Sequence, residues 1–203
     1  MDEIGLFPLG IVLLPTERVP LHIFEDRYRE LIGECLDDDV EFGLVYADED
    51  GAREIGTRAR VVQVLERFDD GRLNIVVAGG ERFRVEKLTR GRSFMTAEVV
   101  PVEDEPGVAS ADAAERATGS FRALATLAGA EPDELDESSP ILSYELAAQV
   151  ELAADAKQNL LESVSEPDRL EQVAELLDGA RKLLIAAREL GERAKQNGSR
   201  LPH

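Results

Sequence analysis

The sequence predicts an α+β fold in which a strand-rich N-terminal part precedes an all-helical part. Apolar and polar residues alternate over much of residues 41–102, which is the two-residue period of strands. After the charged, helix-breaking segment Glu103–Gly107, the apolar period changes to that of helices. We therefore expect one unit over residues 1–105 and a helical bundle over residues 106–203, each with its own core.

Proline interrupts the short apolar runs near the N-terminus. The run Ile4–Leu9 contains Pro8, and the run Ile11–Leu14 is followed directly by Pro15. Because proline has no N–H to donate to a sheet, strands with this pattern lie at sheet edges. We therefore expect these two runs to form edge strands, or their prolines to occupy first positions of strands, and not to lie in the middle of a sheet. A third run, Val19–Phe24, predicts a strand that leads directly into a helix.

The helix after this third run is predicted from its charges and its spacing. Glu25 and Asp26 would lie at its N-terminus, where negative charge is favourable. One helix face then carries the apolar residues Phe24, Tyr28, Leu31, Ile32, Cys35 and Leu36. Since Cys35 belongs to this face, we expect a buried structural thiol and not a nucleophile.

Two long strands joined by a hairpin are predicted next. Thr57–Phe68 and the alternating run from Leu73 are separated by Asp69–Gly71, where glycine supplies a positive φ angle. The pair Gly79–Gly80 interrupts the second strand, which is typical of a β-bulge or of a corner in a small barrel. Phe94–Val102 is the last predicted strand.

The C-terminal part is predicted to contain four helices. They cover residues 111–127, 140–152, 155–161 and 167–196. The last helix carries leucines that repeat every seven residues, with alanines between them. Packing inside a bundle is the preferred interpretation of this stripe, and coiled-coil dimerisation is the alternative. The pattern leaves the oligomeric state undetermined.

The composition excludes several classes of protein. The chain has 42 acidic and 23 basic residues, for a net charge of −19, which repels phosphate backbones, so we expect no nucleic acid partner. No apolar run approaches the ~20 residues of a membrane span, and the N-terminus lacks a signal-peptide pattern. We therefore expect a cytoplasmic protein without membrane association. A single cysteine fits that reducing compartment.

Several segments, in order along the chain, resemble one protein family. The segments are F-P-L-G-I-V-L-L-P from Phe7, V-P-L-H-I-F-E-D-R-Y-R from Val19, I-G-T-R-A-R-V-V-Q-V-L from Ile55, D-G-R-L-N-I-V-V-A-G-G-E-R-F-R-V from Asp70 and A-D-A-K-Q-N-L-L-E-S from Ala154. The chain is similar to the N-terminal, substrate-binding domain of Lon proteases, and most similar to small free-standing proteins built from that domain alone. The resemblance implies a PUA-like β-barrel followed by a helical bundle.

The same resemblance implies a non-enzymatic module that binds unfolded polypeptide segments or a partner protein. The Walker A loop and the Ser-Lys dyad of full-length Lon proteases have no counterpart here, and we expect no cofactor. The only histidines are His22 and His203, and they lack the spacing of metal ligands. Two alternatives remain: an RNA-binding module, since PUA-like barrels elsewhere bind RNA, and a hydrolase that uses His22 with Glu25.

The predicted binding surface lies near the first strands. An extended polypeptide can add to a free strand edge and place alternate side chains in pockets. Strands interrupted by proline would leave such an edge or groove, lined by Leu13, Leu14, His22, Phe24 and Tyr28. The alternative interpretation is that these apolar residues fill the core and that His22 is a hydrogen-bonded structural residue.

Overall fold

The computed structural model describes residues 2–106, 111–131 and 135–198, which form two compact units. The first unit contains the described residues of Met1–Pro106 and Ala147–Ser165. The second contains the described residues of Gly107–Leu146 and Glu166–His203. Each unit is therefore built from two separate stretches of the chain.

The elements follow the predicted order of strands and then helices, and the α+β class is confirmed. In chain order they are β1 (Asp2–Leu9), β2 (Arg18–Ile23), α1 (Asp26–Asp38), β3 (Phe42–Asp48), β4 (Gly51–Ala52), β5 (Ile55–Arg67), β6 (Leu73–Thr89), β7 (Thr96–Pro101), α2 (Ala111–Ala128), α3 (Leu142–Ala147), α4 (Ala154–Glu162) and α5 (Glu166–Gly198).

The strands of the first unit form a small, mostly antiparallel barrel. The sheet order is β1-β7-β6-β5-β3, and β1 pairs with β3 in parallel, so the sheet closes on itself. β2 pairs with β6, and β4 pairs with β3. Closure leaves these five strands with a neighbour on each side, which removes most of the exposed sheet edge.

Helix α1 packs on the barrel core with the apolar face that its sequence predicts. Tyr28, Leu31 and Ile32 are buried, and the ring of Tyr28 stacks on that of Phe7 with 4.0 Å between centroids. Burial of each such side chain contributes about 1.5–3 kcal/mol. Phe24 was expected on the same face, but it precedes the first helical residue and is 60% exposed.

The prediction that β1 is an edge strand is wrong. Residues Asp2–Gly5 pair with β7, whereas Leu6–Leu9 pair with β3. Pro8 is accommodated because it lies in the half of the strand that pairs on one side only, where a missing N–H is tolerated.

The run Ile11–Leu14 is buried but is not a strand, which corrects the second expectation. Leu13 accepts a hydrogen bond at its carbonyl from Thr57 Oγ1 at 2.6 Å, and the N–H of Leu14 donates to Glu17 Oε2 at 2.9 Å. Side chains thus satisfy backbone groups that a ladder would otherwise pair. A Cβ on Gly79 would lie 2.1 Å from the Leu14 carbonyl oxygen, so glycine is required where this segment crosses β6.

Arg82 fastens a later part of the chain to the barrel. Its buried side chain donates to the carbonyls of Leu161 at 2.7 Å and Ser163 at 2.6 Å, and it forms an ion pair with Asp104. Leu160, next to these acceptors, is buried too. In the structure α4 therefore belongs with the barrel, although the sequence placed it in a bundle over residues 106–203. That the chain folds as two independent parts divided at residue 105 stays a prediction, and Gly107, the last residue of the helix-breaking segment, lies outside the described residues.

The second unit is held by α2 and the first half of α5. Leu170, Val173 and Leu177 of α5 are buried. Beyond them the stripe is less buried, since Leu184 is partly buried, Leu183 is 74% exposed and Leu190 is 65% exposed. Bundle packing therefore accounts for the first half of the stripe, and coiled-coil pairing of the second half stays an open alternative. α3 is shorter than the helix predicted over residues 140–152.

We expect the change Arg82→Met to lower the free energy of unfolding by roughly 3–5 kcal/mol, because it leaves buried carbonyls and a carboxylate without their partner. The measurement is denaturant unfolding of the full chain. Arg84→Met, at an exposed position on the same strand, is the matched control and should change stability by about 0.5 kcal/mol or less. Equal losses in both variants would contradict this role of Arg82.

A fragment of residues 1–106 should not melt cooperatively, since it lacks the two carbonyl acceptors of Arg82 and the buried leucines of α4. A synthetic peptide of residues 147–165 should restore a cooperative transition whose midpoint rises with peptide concentration. Calorimetry of the fragment with and without the peptide tests this. A fragment that melts alone at the temperature of the full chain would show that the barrel is complete without α4.

Candidate functional site

The outer face of the sheet formed by β2, β6 and β5 carries a row of polar side chains. His22, Asn74 and Glu66 lie opposite one another on these three strands. His22 Nδ1 lies 2.6 Å from Asn74 Oδ1, and since an amide oxygen only accepts, the ring donates at Nδ1. Asn74 Nδ2 in turn donates to Glu66 Oε2 at 3.1 Å. The orientation of the His22 ring is therefore fixed on an exposed surface.

Two phenylalanines flank this histidine, and we call His22, Phe24 and Phe68 the aromatic cluster. The ring of Phe24 stacks on that of His22 with 5.8 Å between centroids. Phe68 meets the same ring edge-on at 6.1 Å. The guanidinium of Arg72 lies 5.1 Å from the centre of the Phe68 ring. His22 and Phe24 are exposed and Phe68 is partly buried, so the cluster offers apolar ring area at little cost in side-chain entropy.

The hairpin between β5 and β6 holds Phe68 in place. The carboxylate of Asp70 accepts from the N–H of Arg72 at 3.1 Å and from its Nε at 2.7 Å. The first of these bonds is the main cause that keeps the pKa of Asp70 below its ordinary value. Arg29 of α1 donates to the carbonyl of Asp70 and pairs with Asp26. The hairpin tip is thus tied to the first turn of α1.

An unpaired strand edge lies beside the cluster. Within the part of the chain that the structure describes, β2 pairs with β6 only, so its other edge is free of ladder partners. Pro20, in the middle of β2, removes one donor and is exposed. Such an edge accepts an extended polypeptide over a short length, and the proline limits longer pairing.

The structure divides the predicted site residues into two groups. Leu13, Leu14 and Tyr28 are buried in the first unit, which favours the core interpretation for these three. His22 and Phe24 are exposed and lie together in the aromatic cluster. Their contact with a polypeptide stays a prediction.

Sequence reasoning missed Phe68 and Arg72. The sequence carries a signal for Phe68: it is an aromatic residue that follows the charged residues Glu66 and Arg67 at the end of a predicted strand and directly precedes the turn Asp69–Gly71. The length of the hairpin strands then places that residue opposite the end of β2, since Leu73 pairs with Ile23.

The described residues do not support the hydrolase alternative. His22 is bonded to Asn74, while Glu25 pairs with Arg27 at 2.8 Å, so the histidine and the carboxylate have separate partners. Among residues 2–106, 111–131 and 135–198, no group of three or more His, Cys, Asp or Glu side chains is placed to hold a metal ion. No helix in these ranges is long and apolar enough to cross a membrane.

Comparison with known proteins decides the family. The model of the substrate-binding domain of ATP-dependent protease La (LON) matches residues 3–179 of this chain. The chain belongs to the LON substrate-binding domain family. The predicted resemblance is therefore confirmed, and the matched region contains every residue of the aromatic cluster.

Individual relatives of the LON family agree with this assignment. Lon protease 2 of Myxococcus xanthus is 30% identical over 91% of this chain, and Lon protease of Anaeromyxobacter dehalogenans is 28% identical over the same share. The chain spans about a quarter of the length of these relatives, 24% in both. The similarity thus covers their substrate-binding part and not their whole length.

Solved structures of the family share the fold. A Lon N-terminal domain protein from Xanthomonas campestris superposes with a TM-score of 0.68 at 27% identity, covering 85% of this chain and 97% of that one. The N-terminal domain of Lon protease from the Mycobacterium avium complex gives the same TM-score at 20% identity, covering 87% of this chain and 98% of that one. Its identity is low enough that it supports the fold alone.

The buried thiol of the domain should react slowly at neutral pH. Burial is the main cause that raises the pKa of Cys35 to about 11, and Glu34 and Asp38 raise it further. At pH 8 only about one thiol in a thousand is ionised, so alkylation by iodoacetamide should be far slower than for a free cysteine. The rate should rise about tenfold per pH unit until the pKa is approached. A rate at pH 8 equal to that of free cysteine would contradict this.

Proposed function

We propose that this LON domain binds unfolded polypeptide segments through the aromatic cluster and the adjacent edge of β2. The observation that carries the proposal is the position of Phe24, which is exposed on a surface where the neighbouring His22 ring is fixed by Asn74. The family supports a role in substrate recognition. A more specific form of the proposal is that the domain acts as an adaptor and uses the same surface to bind one partner protein.

The chemistry of the surface fits apolar and aromatic segments of a polypeptide. Rings of Phe24 and Phe68 contact apolar side chains, while the free edge of β2 pairs with the backbone. Since apolar contact dominates, added salt should change the affinity little. The proposal is for binding without catalysis and for a cytoplasmic protein. The net charge of −19 makes structured RNA a poor ligand.

The variant Phe24→Ser should lower the affinity for an unfolded polypeptide about tenfold or more while leaving the melting temperature unchanged, because the side chain is exposed. Leu88→Ser is the matched control, since Leu88 is 57% exposed and is not part of the cluster. Fluorescence anisotropy with a labelled, reduced and unfolded protein measures the affinity, and calorimetry measures the melting temperature.

Three results would contradict the proposal. The first is equal affinity of Phe24→Ser and Leu88→Ser for the unfolded protein. The second is tighter binding of a structured RNA than of the unfolded protein. The third is cleavage of the polypeptide, or ATP turnover, that a single substitution in this chain abolishes.

Leu14→Asp serves as a marker of the core. It should unfold the protein, because Leu14 is fully buried.

A further inference from the structure

Strands β1 and β3 diverge at their beginnings. Their parallel pairing begins at Leu6 and Gly43, so the earlier residues Asp2–Gly5 lack a strand on the side of β3 among the described residues. The chain before β3 bends away because Asp39 adopts a left-handed φ of 52°, and Val40 then donates to the carbonyl of Cys35 at 3.2 Å. A gap opens where the ladder would have continued.

This gap is a cleft of about 520 Å³, which we call the β1 cleft. One wall is the start of β1, and the other consists of Asp39–Glu41 together with Arg58 and Arg60 of β5. Apolar atoms line its interior, from Ile4, Leu31, Cys35 and Phe94. Clefts of this volume are typical of ligand sites. No residue of the aromatic cluster lines it.

An extended chain is the shape that fits beside a strand without a neighbour. The free side of Asp2–Gly5 is ~13 Å long at the usual rise of a strand. Alternate backbone groups of such a strand point into the gap and can pair with another backbone. Side chains of the bound segment would then point alternately toward the apolar interior and toward the rim.

The rim carries more negative than positive charge. The guanidinium of Arg58 pairs with Asp2 at 3.0 Å and that of Arg60 with Asp39 at 2.8 Å, while Arg92 pairs with Glu34. The carboxylates in excess of these pairs are Glu3, which accepts from Thr89 at 2.6 Å, and Glu41, which lies 3.6 Å from Arg60. The excess favours a cationic ligand, as does the net charge of the chain.

We propose that the β1 cleft binds an extended polypeptide segment that carries lysine or arginine side chains. Backbone pairing along Asp2–Gly5 holds the segment, apolar side chains enter the cleft, and the cationic groups meet Glu3 and Glu41. This inference rests on the proposed function for the class of ligand, but it assigns a second, separate surface with its own selectivity.

Short fluorescein-labelled peptides test the cleft directly. A peptide that alternates valine and lysine should bind about tenfold or more tightly than one that alternates valine and glutamate. Methylation of alternate backbone nitrogens should abolish binding, because the pairing donors are lost. Binding should weaken as salt increases. Equal affinity for the lysine and glutamate peptides, or full binding of the methylated peptide, would overturn the proposal.

Two variants of different kinds locate the binding. The double change Glu3→Lys and Glu41→Lys should weaken the lysine peptide about tenfold or more, whereas Glu86→Lys with Glu115→Lys, an equal change of charge at exposed positions outside the cleft, should not. Val40→Trp, at a position that is 48% exposed, fills the cleft without changing its charge and should also weaken binding. Unchanged affinity in Val40→Trp would overturn the proposal even if the double variant failed to fold.

The two proposals fail in different ways. Phe24→Ser should leave binding of the lysine peptide unchanged, since Phe24 does not line the cleft. If the lysine peptide binds and responds to Val40→Trp, while Phe24→Ser and Leu88→Ser bind unfolded protein with equal affinity, the proposed function of the aromatic cluster is wrong and the cleft assignment stands. If unfolded protein binds through Phe24 while the lysine peptide does not bind, the cleft assignment is wrong.

Discussion

The hydrogen bonds of Arg82 are the constraint on which the first unit depends. A guanidinium can be buried only if its donors are satisfied, and here two carbonyls from the end of α4 and one carboxylate provide the partners. β6 carries this arginine and pairs with β5, β2 and β7 along its length. One side chain therefore connects the central strand of the barrel to the helix that completes it. The exposed face of the same sheet is then a stable platform for the aromatic cluster.

The His22 ring of the aromatic cluster differs from the core side chains of the same strand in how its orientation is fixed. On β2, Val19, Leu21 and Ile23 lie opposite Val77, Ile75 and Leu73 and pack on the core, whereas His22 points to the other side. Its ring is oriented by the hydrogen bond to Asn74 as well as by contact with Phe24 and Phe68. This polar partner keeps the exposed ring at a defined position, which a surface needs if it is to contact many different polypeptide sequences. The β1 cleft adds a site of opposite character, in which charge selects the ligand.

Features with local causes could be predicted from the sequence. The face of α1, the turn at Gly71 and the bulge at Gly79 follow from spacing and from backbone freedom. Features with distant causes could not. Ile11–Leu14 resembles a strand, yet Leu13 is bonded to Thr57, which lies 44 positions away. The sequence placed α4 in the helical part, because no local pattern reveals the bond from Arg82 to Leu161, which spans 79 positions. Of the predicted site residues, His22 and Phe24 are exposed, whereas Leu14 is buried as the core interpretation expects, because the burial of a loop depends on the elements that cross it.

The division of each unit between two stretches of chain has a consequence for biosynthesis. Residues 1–106 leave the ribosome before α4 exists, and the two carbonyl acceptors of Arg82 are complete only when Ser163 has been made. At usual rates of translation this delay is roughly 3–12 seconds. During that time the guanidinium of Arg82 can pair with Asp104 but not with its two carbonyl acceptors, and the apolar surface that α4 covers is exposed. For several seconds of its own synthesis, this domain therefore exposes apolar surface of the kind that the proposed function assigns to its ligands.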